Sequence, residues 1–269
     1  MPGVTYLDLD DVQLYYELVG DGPPLLFLNG SGSTIESVRP LIDYLGTGCT
    51  VAVHDQRGSG RSSIPAGPYS MQDYARDARA MADHQGWDTF SVIGISFGGM
   101  VAQEFAVTWP ERLDRLALLC TSPGGPDYAS YPLERLRDLP EAERADLGLR
   151  LLDRRFVGDW LAEHPDDMSL VTRMVQGRNM DPSAEEDAAE VAQLGARSGH
   201  DVRERLGAIT CPTLVAAGRY DGIAPVVNSE QIVDRLPNAR LETFEGGHAF
   251  VAQDPAALPA VLAFLTDGA

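Results

Sequence analysis

SVIGISFGGM, residues 91–100, places one serine between two glycines directly after an apolar run. Gly94-Ile95-Ser96-Phe97-Gly98 has the form G-x-S-x-G, whose serine sits on a sharp turn between a strand and a helix. The residues before it read as a buried strand, and GGMVAQEFAVTW after it reads as a helix closed by Pro110. Such a turn lifts the serine Oγ off the sheet. Side chains two residues to either side would collide there, so Gly94 and Gly98 fit. With 27 glycines in the chain one such pentapeptide can arise by chance, and its weight depends on what surrounds it.

Working outward, the same rhythm repeats. Upstream, Thr5–Leu9 and Gln13–Leu18 read as a hairpin turning at Asp10-Asp11. PPLLFLNG reads as a buried strand ending in the glycine-rich loop Asn29-Gly30-Ser31-Gly32-Ser33, and IESVRPLIDYL as a helix whose start Pro40 weakens or kinks. TVAVHD is another buried strand, followed by an amphipathic helix over residues 71–85, with Met71, Tyr74, Ala78 and Met81 near one face. Downstream, LDRLALLCTS, CPTLVAAG and ARLETF are strands; Asn228–Leu236 and PAALPAVLAFL are helices. Buried strands alternating with helices predict an α/β fold, a mostly parallel eight-stranded sheet flanked by helices.

The rhythm breaks between residues 124 and 206, which are rich in Arg, Asp, Glu and Ala and contain no convincing strand. PLERLRDL, EAERADLGLRLLDRRFVGDWLAEH, MSLVTRMVQGRN and SAEEDAAEVAQLGAR each read as one helix. The chain thus divides into a core of residues 1–123 and 207–269 and a helical insertion, 124–206, between strands six and seven.

A serine hydroxyl is inert near neutral pH without a base. His248 in FEGGHAF follows the last strand and is the candidate; Asp221 in AAGRYDGIAP follows the one before and is the acid that would orient it. The order Ser96, Asp221, His248 is that of one hydrolytic triad arrangement. An oxyanion would be held by the backbone N–H of Phe97 and by one from the loop after the third strand, at Ser31. This chemistry is acyl transfer and calls for no cofactor and no metal.

DQRGSGRSS (55–63), GISFGGMVAQEFAVTWPERLDRLALLCT, CPTLVAAGRYDGIAP and EGGHAF together resemble the α/β-hydrolase fold family, in its small, capped bacterial members, over essentially the whole chain. The resemblance implies that residues 124–206 are a cap that roofs the site and selects substrates. It implies that the loop holding Asp55 and Arg57 braces the active-site base. Ester or lactone hydrolysis is the leading expectation. DQRGSGRS also resembles proline iminopeptidases, although their glycine- and proline-rich oxyanion loop is absent and Phe97 stands where they carry Trp. Carbon–carbon bond hydrolases and cofactor-free haloperoxidases or perhydrolases share the triad, and some members of the fold are ligand receptors. One departure is Asn29-Gly30, where the family has His-Gly; it leaves the triad intact and alters local hydrogen bonding.

Composition narrows the field further. The formal charge is -19, and all 21 basic residues are arginine. Without lysine there is no Schiff-base chemistry and no P-loop. An acidic chain is expected to bind a small-molecule substrate rather than nucleic acid or an anionic membrane. Cys49, Cys120 and Cys211 are odd in number and far apart, and 120 and 211 adjoin apolar runs, so buried free thiols are expected. The aromatics Tyr128, Tyr131, Phe156 and Trp160 read as the insertion's own core. His54, His84, His164 and His200 read as surface or structural residues. MPGVTYLDLDDVQ has no basic segment leading into an apolar one, so a cytoplasmic location is expected. Oligomeric state is not readable from the sequence.

Overall fold

The computed structural model describes residues 5–176, 179 and 181–267. Their strands are β1 (Thr5–Asp8), β2 (Gln13–Val19), β3 (Pro24–Leu28), β4 (Thr50–His54), β5 (Phe90–Ile95), β6 (Leu113–Leu119), β7 (Thr213–Gly218) and β8 (Ala239–Phe244). All eight form one sheet in the order β1-β2-β4-β3-β5-β6-β7-β8. β1–β2 and β2–β4 pair antiparallel and every other pair is parallel. The chain runs outward from β3 to β4, then returns across β3 to β5. The crevice between the ends of β3 and β5 is therefore a topological switch point, where open α/β sheets bind ligands.

The helices are α1 (Arg39–Leu45), α2 (Met71–His84), α3 (Phe97–Thr108), α4 (Gly125–Tyr128), α5 (Glu141–Leu152), α6 (Trp160–Glu163), α7 (Pro165–Gln176), α8 (Ala184–Ser198), α9 (Val226–Val233), α10 (Phe250–Gln253) and α11 (Ala257–Thr266). The parallel strands are apolar on both sides because helices cover both faces. Leu26, Leu28 and Val92 pack with Met71, Tyr74, Ala78 and Met81 of α2 and with Phe105 of α3. Leu25, Phe27 and Ile93 face the other way, onto Ile42 and Leu45 of α1 and Val261 and Phe264 of α11. The three cysteines are free and buried. Among the described residues no helix is long and apolar enough to cross a membrane.

Several helices differ from expectation. Pro40 does not kink a helix that starts at Ile35: α1 begins only at Arg39, with proline in its first turn, where its missing N–H costs nothing. The segment 133–138 winds as 3-10 rather than α. The expected single helix over 141–164 breaks at Asp153, a fully buried carboxylate that accepts from the Arg155 backbone N–H and guanidinium. The helix expected over MSLVTRMVQGRN starts earlier, at Pro165, and ends at Gln176. Gly177 and Arg178, at the end of that expected stretch, lie outside the described residues.

His54, at the end of β4, and His200, after α8, are both sealed in the interior, and burial pulls each imidazole down to about 4. The unfolded chain protonates them near 6.5, so it binds more protons than the fold between those two values. Their contribution to stability is fully present above about pH 6.5 and is lost as pH falls toward 4, by up to about 3 kcal/mol per histidine. Thermal melts from pH 7.5 to 4 should show a steep decline across that window, shallower in His200→Asn. An equal slope in the variant would contradict the assignment.

Candidate active site

Ser96 occupies the single residue between β5 and α3, with φ 54° and ψ −115°. A non-glycine residue with positive φ is strained by about 1–3 kcal/mol and persists only where its surroundings hold it. Here they do. The Ser96 N–H donates to the Leu119 carbonyl at 2.8 Å, and the Thr121 hydroxyl donates to the Ser96 carbonyl at 2.8 Å. A Cβ at Gly94 would collide with the Gly98 carbonyl, and one at Gly98 with the carbonyl of Leu28. Both glycines are thus required by close backbone approach at the foot of the turn.

The three residues singled out in the sequence meet there. His248 Nε2 lies 2.9 Å from Ser96 Oγ, and His248 Nδ1 lies 2.7 Å from Asp221 Oδ2. A carboxylate only accepts, so Nδ1 carries the proton and Nε2 is left as acceptor for the serine hydroxyl. Asp221 is fully buried, and its Oδ1 accepts from the N–H groups of Ile223 (2.7 Å) and Ala224 (2.9 Å). Both carboxylate oxygens are therefore engaged and the acid cannot rotate away from the imidazole.

The helical insertion holds this pair in place, a role not foreseen from the sequence. The His248 N–H donates to the Leu152 carbonyl at 2.6 Å, and the Gly222 N–H to the Leu151 carbonyl at 3.1 Å. A side chain at Gly247 would strike Leu152 and Asp153. Gln253 accepts from the Gly247 N–H at 2.8 Å and donates to Asp153 at 3.0 Å. The broken end of α5 is thereby tied to the histidine loop through a buried carboxylate.

Phe97 opens α3, so its N–H is one of the helix's unpaired first donors and points out of the N-terminus beside Ser96. The loop after β3 runs alongside: a carbon added at Gly30 would lie 3.7 Å from Ser96 Cβ. Within that loop the Gly32 N–H is taken by Gln193 of α8 (3.0 Å), and the Ser33 N–H by the Gly30 carbonyl (3.2 Å). The Ser31 N–H is engaged by no backbone or side-chain acceptor among the described residues, and its buried Oγ is also unpartnered. Asn29, in the family's histidine position, is fully buried, donates to the His54 carbonyl at 3.3 Å, and receives Gln56 on its own carbonyl at 2.7 Å.

Asp55 and Arg57 make structural contacts. Asp55 accepts from the N–H groups of Ile35 (2.7 Å) and Arg61 (2.8 Å), which shapes the chain just past the β3 loop. Arg57 makes a buried two-pronged pair with Asp77, both bonds 2.7 Å. Of the insertion's aromatics, Phe156 is buried, while Trp160 stacks on His164 with centroids 3.7 Å apart and donates to Asp167. Those two partners of Trp160 lie within residues 124–206.

A family model described as the alpha/beta hydrolase fold matches residues 23–255. A poly(3-hydroxyalkanoate) depolymerase of Ectopseudomonas oleovorans is 30% identical over 90% of this chain and 84% of its own length. The 3-oxoadipate enol-lactonase 2 of Acinetobacter baylyi is 28% identical over 93% of this chain and 92% of its own. Among solved structures, a hydrolase from Pseudomonas aeruginosa superposes with a TM-score of 0.81 at 28% identity, covering 100% of this chain and 99% of that one. The chain belongs to the α/β-hydrolase fold family, and the named activities of these relatives point to a hydrolase.

Proposed function

We propose that this protein is a serine hydrolase that opens carboxylic esters or lactones through an acyl-enzyme on Ser96. The observation that carries the reading is the unbroken hydrogen-bonded line Asp221–His248–Ser96, ending at a helix N-terminus. Ser96 Oγ attacks the substrate carbonyl and His248 Nε2 takes its proton. Asp221 stabilises the resulting imidazolium. The oxyanion falls to the N–H groups of Phe97 and Ser31, donors fixed before the charge develops. His248 then protonates the departing alkoxide, which for a lactone remains tethered to the acyl group. In the second half His248 draws a proton from water, the hydroxide adds to the acyl carbonyl, and Ser96 leaves with the proton returned.

The reading extends to the rest of the fold. Residues 124–206 serve as the cap, because α8 and α5 reach both sides of the serine through Gln193, Leu151 and Leu152. The partner is a small-molecule substrate. The depolymerase and the lactonase, at 30% and 28% identity against 26% for a proline iminopeptidase of Lactobacillus delbrueckii, support a carboxylic ester or lactone ahead of a peptide. Multiple turnovers per site on p-nitrophenyl acetate, p-nitrophenyl butyrate and a simple lactone are expected. A single slow event per site would instead mark a ligand receptor built on the same fold.

A further inference from the structure

Arg197 lies on the buried face of α8 and is only 4% exposed. Its Nη1 donates to the Tyr131 carbonyl at 2.8 Å, which fixes the guanidinium plane. Its Nε and Nη2 are buried and have no hydrogen-bond partner among the described residues. Those two atoms form one edge of the guanidinium, the fork that meets both oxygens of a carboxylate. A buried charge left unpaired is costly, and buried arginines are otherwise paired. Glu134, whose Oε2 is also buried and unpartnered, attracts Arg197 without forming an ion pair with it. Burial pulls the guanidinium down to about 10, so it remains charged at neutral pH.

Its neighbours tie it to the segments that carry the site residues. Gln193, one turn earlier on the same buried face, accepts from Gly32 in the loop beside Ser96. Tyr131, which holds Arg197, donates its N–H at 2.7 Å to the carbonyl of Ile223, two residues past Asp221. His200, just beyond, accepts from Gly125 on the chain leaving β6, upstream of which Thr121 clamps Ser96. Arg197 therefore stands among the segments that carry the donors and the acid of the site. The bulk field of this acidic chain repels anions, so an unpaired cation here is a local feature with a local use.

We propose that the free edge of Arg197 anchors a carboxylate on the acyl part of the substrate, making the preferred substrates esters or lactones that carry a second, free carboxylate. The free edge offers two parallel N–H donors, the fork that a carboxylate meets with both oxygens. The proposal rests on the hydrolase reading above for its reaction, but its binding step can be measured alone.

The test compares mono-p-nitrophenyl glutarate with the neutral p-nitrophenyl valerate. Wild type should favour the glutarate in kcat/KM by at least about 10-fold, as expected for a desolvated charge-assisted pair. Arg197→Met should erase that preference, the glutarate losing at least about 10-fold more in kcat/KM than the valerate. Arg197→Lys, with charge but no fork, should fall between. Absence of a preference in wild type overturns the proposal, as does an equal loss on both esters in a folded variant. Should Arg197→Met not fold, the wild-type comparison decides alone. Calorimetric titration of glutarate into Ser96→Ala separates the two readings. Saturable binding that Arg197→Met abolishes, with neither ester hydrolysed, refutes the hydrolase and keeps the anchor; hydrolysis of both esters without such binding refutes the anchor alone.

Discussion

Ser96→Ala and His248→Ala are each expected to lower kcat/KM for a p-nitrophenyl ester by about 10⁴- to 10⁶-fold, the range seen when a member of a hydrolytic triad is removed. The size follows from how the two atoms depend on each other. Ser96 Oγ has one base within reach, at 2.9 Å, and without it the hydroxyl is not a nucleophile at neutral pH. Without Ser96 the imidazole has no covalent step to serve. The double variant should therefore be no slower than either single one, whereas multiplying losses would mean that the two act independently. Folding is a separate readout: alanine adopts the strained turn no less readily than serine, so Ser96→Ala should melt close to wild type. The small activity that remains would come from binding and the oxyanion donors.

Gly98→Ala is expected to be severely damaging for a change of one methyl group. The added carbon would land on the carbonyl oxygens of Leu28 and Asn29 at the end of β3, closer than any real carbon approaches. Both obstacles are backbone, Leu28 in a central strand and Asn29 directly after it, so neither can swing aside as a side chain could. Either α3 lifts off the sheet or the β3 loop is pushed away from Ser96. The cost should be about 3 kcal/mol or more, which lowers Tm by roughly 10 °C in a chain of this size. Whatever folds should also hydrolyse esters poorly, because the same displacement moves Ser31. Gly148→Ala is the matched control: it lies in α5 with open space around it, and should be neutral or stabilising by up to about 1 kcal/mol. Equal melting temperatures for the Gly98 and Gly148 variants would show that the turn is not built as described.

These two outcomes also mark how far the sequence could be read. The parallel strands were legible because burial on both faces demands uninterrupted apolar runs such as LLFL and LALL. Ser96 was legible because its turn constrains five consecutive residues, and Asp221 and His248 because strand ends place them on the same edge. What escaped depends on contacts distant in sequence. Asp153 stands beside Arg154 and Arg155 in a stretch that reads as a solvated helix face, yet it is fully buried and ends that helix. Its link to His248 runs through Gln253, 100 residues away. Gln193 reaches Gly32 across 161 residues, and Arg197 looks like any surface arginine until α8 is laid on the core. Charge and helical periodicity describe what a segment could expose; which face is covered is decided by the element it meets.

The central claim is that Ser96 is a nucleophile activated within the free protein. Incubation with a fluorophosphonate probe, followed by peptide mapping, tests it most directly. The expected result is one adduct per chain on the peptide containing Gly94–Gly98, with the phosphonate on Ser96, and none on the His248→Ala protein. A folded wild-type protein that stays unlabelled, or that carries the probe on another serine, would contradict the account.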